Sequence, residues 1–188
     1  MTQTSTYDLC IWDPARPAAL PATHHEALDI MERLSLLNTP ADDVWHATLA
    51  EFASLLVQRY EVDKFNHAGS LQHNHSGGLN AFWGSDPRKG AAECKTAVYR
   101  LALPGEPCLR QIAYAVEVAA GLGLVVFDDD NGMCFLPDGK ILPEDVREMW
   151  ESNLADLKAG LPDPSIRVPD GRNIWQRIAG DLFDALGR

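Results

Sequence analysis

The sequence has no apolar run approaching the roughly 18–20 residues that a membrane-crossing helix needs. Its first residues, MTQTSTYDL, lack the basic start and apolar stretch of a secretion signal. Both absences lead us to expect a cytoplasmic protein with no membrane partner. Cysteine is scarce, four in 188 residues, and Cys10, Cys94, Cys108 and Cys134 form no CxxC pair. That argues against a structural zinc site and for reduced thiols, with Cys10 and Cys134 serving as small buried hydrophobes. Basic residues are also in deficit: 16 Lys and Arg stand against 27 Asp and Glu, a formal charge of -11. A nucleic-acid phosphate backbone is therefore a poor partner. There is no G-x-S-x-G elbow, no Walker loop and no G-x-G-x-x-G after a strand. Gly121-Leu122-Gly123 follows a helical stretch and precedes an extended one, the reverse of the phosphate-binding order. No internal repeat is present.

What remains is hydrophobic residues at 46%, enough for one substantial core. The stretch between Cys108 and Asp130 organises it. Leu109, Ile112, Ala113, Val116 and Ala120 recur at helical spacing. Gly121 and Gly123 can take the positive φ that ends a helix. Leu124-Val125-Val126-Phe127 then suits a strand covered on both faces, and Asp128-Asp129-Asp130 closes it as an acidic rim.

Upstream, Tyr7–Trp12 predicts a first strand, stopped by Asp13-Pro14. Thr23-His24-His25-Glu26 has capping-box spacing and opens a helix with Ala27, Ile30, Met31, Leu34 and Leu37 on one face. Thr39-Pro40 predicts a second helix start, carrying Trp45, Leu49, Phe52, Leu55 and Leu56 as far as Tyr60. These two helices are expected to pair on the sheet. From Glu61 to Gly90 a long polar loop is expected, with a short strand at Ala81-Phe82-Trp83. Alternation returns over Lys95–Leu103. Asn131-Gly132 predicts a hairpin into Met133–Leu136, and Pro143 opens a helix with Val146, Met149, Trp150 and Leu157 inward. A proline-stiffened linker leads to a last amphipathic helix carrying Ile174, Trp175, Ile178, Leu182, Phe183 and Leu186.

The expectation is an α+β fold: a mixed or antiparallel four-stranded sheet packed with helices, plus two C-terminal amphipathic helices. Residues 1–160 form the core domain, and 161–188 a linker and helix docked on the core or on a partner.

Two polar clusters carry chemical interest. His67, His73 and His75 lie in the Gly-rich loop, where His73 and His75 project to one side of an extended chain. No neighbouring set completes a tetrahedral site, and a solvated loop explains them without a metal. Asp128-Asp129-Asp130 lacks the alternating ligands and distal glutamate of a calcium loop. We expect no metal, no cofactor and no catalytic residues.

Tyr7-Asp8-Leu9-Cys10-Ile11-Trp12 and Gly123-Leu124-Val125-Val126-Phe127-Asp128 together resemble a family of bacterial toxin-immunity proteins encoded beside secreted polymorphic or type VI toxins. In that family an N-terminal Y-D-L-x-x-W strand precedes two helices, and a later helix ends in G-L-x-x-[FY]-D. The resemblance spans about three quarters of the chain by pattern. It implies a non-enzymatic cytoplasmic inhibitor whose partner is a cognate toxin. An acidic inhibitor would be steered towards a basic toxin surface. On that basis Asp128, Asp129 and Asp130, with Trp83 as an aromatic anchor, are the expected partner-binding residues. The alternatives are a small metal-dependent hydrolase using the His67/His73/His75 loop, and a dimerising adaptor.

Overall fold

At the centre of the sheet lies β3 (Val125–Asp128), with buried residues along its whole length. The computed structural model describes residues 6–16, 20–40, 43–66, 78–104 and 109–158. The other strands are β1 (Thr6–Trp12), β2 (Tyr99–Pro104), β4 (Met133–Phe135) and β5 (Ile141–Leu142). They run in the order β2-β1-β3-β4-β5, and every pairing is antiparallel. The fold is thus α+β with an antiparallel sheet. It has one strand more than expected: the chain beyond the Asp138-Gly139 turn pairs with β4 before it leaves the sheet.

Period-two alternation sends side chains to two separate cores. Tyr7, Leu9 and Ile11 of β1 join Leu101, Leu103, Val126 and Phe135 on one face, while Cys10 and Trp12 join Val125, Phe127 and Cys134 on the other. The second core is closed by α1 (His24–Ser35), through Ala27, Ile30, Met31 and Leu34. The first is closed by α2 (Val44–Asn66), α3 (Gly78–Trp83), α4 (Pro87–Glu93), α5 (Leu109–Gly121) and α6 (Arg147–Lys158). The expected pairing of the first two helices is therefore corrected: α1 and α2 lie on opposite faces of the sheet. Each has the predicted apolar stripe, but a stripe says only that a face is buried, not against which side of a two-faced sheet.

Local signals explain most boundaries. Thr23 Oγ1 accepts from the Glu26 amide at 3.2 Å, and Glu26 reaches back to the Ala22 amide at 2.8 Å. That is the reciprocal arrangement of a capping box, displaced by one residue on the return bond. The second helix begins at Val44 rather than at Pro40; Asp43 Oδ1 accepts from the Trp45 amide at 2.9 Å and supplies the start signal. The end of α5 is a Schellman motif. Gly123, at φ +74°, donates to Ala120 O at 3.1 Å, and Leu124 donates to Ala119 O at 2.8 Å. Gly121 remains helical and needs no such freedom.

On α5 the buried side is Leu109, Gln111, Ile112, Tyr114, Ala115 and Ala119, leaving Ala113, Val116 and Ala120 half-buried. The stripe is rotated from the expected one because α5 packs on α2 as well as on β3.

Where the structure describes it, the region expected as a long loop is mostly helical. The second helix continues to Asn66, and α3 and α4 occupy residues 78–83 and 87–93. Ala81-Phe82-Trp83 is thus helix rather than strand. Gly84, at φ +75°, takes the chain across the outer edge of β2, where a Cβ would sit 3.4 Å from Ala102 O. That passage covers an edge strand which would otherwise invite pairing. Residues 67–77, with His67, His73 and His75, and the linker and terminal helix over 161–188 lie outside the described residues.

Candidate functional site

Both motifs behind the family resemblance meet at one end of the sheet. Leu9 lies opposite Asp128 in the β1–β3 ladder, which carries Tyr7 to the turn between β3 and β4. There the Tyr7 hydroxyl donates to Asp128 Oδ2, and Asn131 Nδ2 donates to the Tyr7 hydroxyl. Asn131 Nδ2 also lies 3.0 Å from Asp128 Oδ2, and its amide donates to Asp128 Oδ1 at 3.1 Å. Tyr7 of the first motif and Asp128 of the second are therefore one hydrogen-bonded unit, 121 residues apart in sequence.

Asp128 has no exposed surface. Burial raises its carboxyl to about 6, against the opposing pull of the hydrogen bonds from Tyr7 and Asn131 and with a further upward push from Asp130. Burial and the neighbouring Asp128 charge also push the Tyr7 phenol far above its ordinary range. The hydroxyl thus stays protonated and acts only as donor to the carboxylate and acceptor from Asn131.

This overturns the placement of Asp128 among solvent-facing contact residues. The strand continues one residue past Phe127, and the acidic run begins inside the protein. Asp129 and Asp130 are exposed, as expected. They sit on a turn whose base is fixed by Asp128 and Asn131, so their position is set by the sheet. At the same end, the chain leaving β5 passes Cys134 and runs towards Met133 before the 3-10 turn Glu144–Val146, whose Glu144 and Asp145 are exposed.

Trp83 is corrected as well: it has no exposed surface and cannot serve as a surface anchor. Its ring meets Phe82 edge-on at 4.9 Å, and Phe82 stacks towards Tyr60 at 5.0 Å in the α2–α5 core. An aromatic pair at the end of a short helix has nowhere to bury except under that helix.

The thiols behave as small hydrophobes. Cys10 and Cys134 are fully buried, and burial raises them to about 11 and about 12. Among the described residues no group of three His, Cys, Asp or Glu side chains is placed to hold a metal ion. No helix among them is long and apolar enough to cross a membrane.

At the opposite end of the sheet, beyond the Trp12 end of β1, the chain between α1 and α2 forms a bridge from Asn38 to Thr96. Beside it opens a cavity of about 710 Å³ lined by residues of α2, α4 and the two adjoining loops. Sequence reasoning missed it, since its lining residues are individually unremarkable and come from two separated stretches, 38–54 and 88–95. Comparison with protein families, with curated proteins and with solved structures finds no match to this chain.

Proposed function

We propose that this protein is an immunity protein that binds and neutralises a cognate bacterial toxin, presenting the β3–β4 turn to it. The observation that carries the reading is the Tyr7–Asp128 contact: the two sequence motifs that resemble those of the immunity family come together as a single buried unit beneath an exposed acidic turn. A turn fixed from below loses little conformational entropy when it docks, so its charges act at nearly full strength. With a formal charge of -11, the chain favours a partner of basic surface, and Asp129, Asp130, Glu144 and Asp145 gather acid at one end.

The direct test is co-expression with the product of the adjacent gene, reading growth rescue and co-purification. Failure to rescue and to bind would refute the reading. A kinetic prediction follows for the same pair. Asp129→Asn with Asp130→Asn should slow association by about tenfold at low salt and leave dissociation nearly unchanged, because exposed charges act chiefly by steering. The difference should shrink at high ionic strength, where the screening length falls to a few ångströms. Stopped-flow measurement at two salt concentrations checks this, and an equal loss at both would move the interface away from the turn.

A further inference from the structure

The geometry points to a second binding site, at the end of the sheet away from the acidic turn, for a small organic anion with an apolar body. The cavity of about 710 Å³ falls within the range of roughly 300–1,000 Å³ typical of small-molecule pockets. One wall is a single face of α2: His46, Ala50 and Ser54 stand at four-residue intervals. Ala91 and Ala92 of α4 form the opposite wall. The void exists because three alanines stand where larger side chains would close two helices over it.

Polar groups converge at the rim. Asn38, Thr39, Arg88 and Lys95 line it, and the His46 ring is held with Nε2 3.2 Å from Thr39 Oγ1. Among the described residues no Asp or Glu lines the cavity, although the chain carries 27 of them. Arg88 is engaged by Asp86, at 2.6 Å, whereas Lys95 has no ion-pair partner among the described residues. Lys95 therefore stands as an exposed cation at a partly apolar cavity, beside an Arg88 guanidinium shared with Asp86. The matching ligand has an anionic head for Lys95, His46 and Arg88, and a hydrophobic body for the alanine walls. The carboxylate, phosphate ester and sulfonate classes share that chemistry.

The site is independent of toxin binding, and so is its test. The probe is anilinonaphthalene sulfonate, an aromatic anion, titrated into the full chain and followed by fluorescence, with inorganic phosphate as competitor. We expect one saturable site, with phosphate displacing the probe. Lys95→Glu, at an exposed position, should weaken probe binding by about tenfold or more, the scale of one charge-assisted hydrogen bond. Ala50→Trp, on the exposed face of α2, should abolish binding by filling the void while leaving the melting temperature nearly unchanged. Should Ala50→Trp not fold, Lys95→Glu decides alone. No saturable binding to the native chain overturns the site, as does binding indifferent to both substitutions. Binding lost in Ala50→Trp but unchanged in Lys95→Glu overturns the anionic class.

Discussion

Phe127→Ala is expected to lower folding stability by about 3–5 kcal/mol, measured by urea unfolding of the full chain. Phe127 is 2% exposed and sits on the central strand, in the core between the sheet and α1. Its ring lies 6.5 Å from that of Trp12 on the neighbouring strand. Removing it loses the transfer free energy of the ring and leaves a void that cannot easily collapse. Backbone pairing on both sides holds β3 in place, to β1 through Cys10 and to β4 through Cys134. A typical domain is stable by only about 5–15 kcal/mol, so this one change should consume a large share. Val44→Ala is the matching control. Val44 is 78% exposed, and the same measurement should register under about 0.5 kcal/mol. A Phe127→Ala loss below about 1 kcal/mol would mean that α1 does not pack on the sheet as described.

The central strand, the antiparallel hairpin after it and the caps of α1 and α5 were legible because each rests on local physics. Four consecutive apolar residues need cover on both sides, Thr23 needs an amide to accept from, and Gly123 must take positive φ. What was not legible depended on contacts between distant segments. Trp83 stood in a stretch of Gly, Asn, Ser and His whose composition suggests solvent. Yet Asp86-Pro87 there is a sound helix-start pair, and Asp86 Oδ1 does accept from the Arg88 amide at 3.0 Å. Weighing that signal would have shortened the loop and moved the aromatic pair indoors.

Asp128 was misplaced for a related reason. Three aspartates in a row have the composition of a surface turn, and only pairing with β1 shows that the first of them faces Tyr7. The candidate contact residues thus divide by their neighbours in the folded chain, which local sequence does not encode: Asp129 and Asp130 are exposed, Asp128 and Trp83 are buried. The cavity beside Lys95 was beyond reach, because small residues on α2 and α4 leave a void only once the helices are placed.

The buried carboxylate at the base of the turn should make stability depend on pH in a direction opposite to that of most carboxylates. Asp128 titrates near 6 in the folded protein and near 3.9 when unfolded. The folded state therefore holds the proton more tightly, and stability from this group is fully present below about 4. It is lost as pH rises through about 6, where burial of the ionised form is no longer avoided. The full span corresponds to about 3 kcal/mol. Asp43 and Asp86 act the other way: their carboxyls are held low, chiefly by the hydrogen bonds of Arg16 and Arg88. The observable is consequently a difference between variants rather than the raw profile. Asp128→Asn removes the titration, so its stability relative to the native chain should improve by up to about 3 kcal/mol between pH 4 and pH 7. Tyr7→Phe keeps the carboxyl but removes one of its donors. Its destabilisation should therefore grow over the same interval, and the midpoint of the stability loss should rise above that of the native protein. Urea unfolding of the three proteins at several pH values between 4 and 8 checks both statements. If the native and Asp128→Asn curves run parallel across that range, Asp128 is ionised in the folded protein at an ordinary pKa. The Tyr7–Asp128–Asn131 cluster would then be open to water rather than sealed beneath the acidic turn.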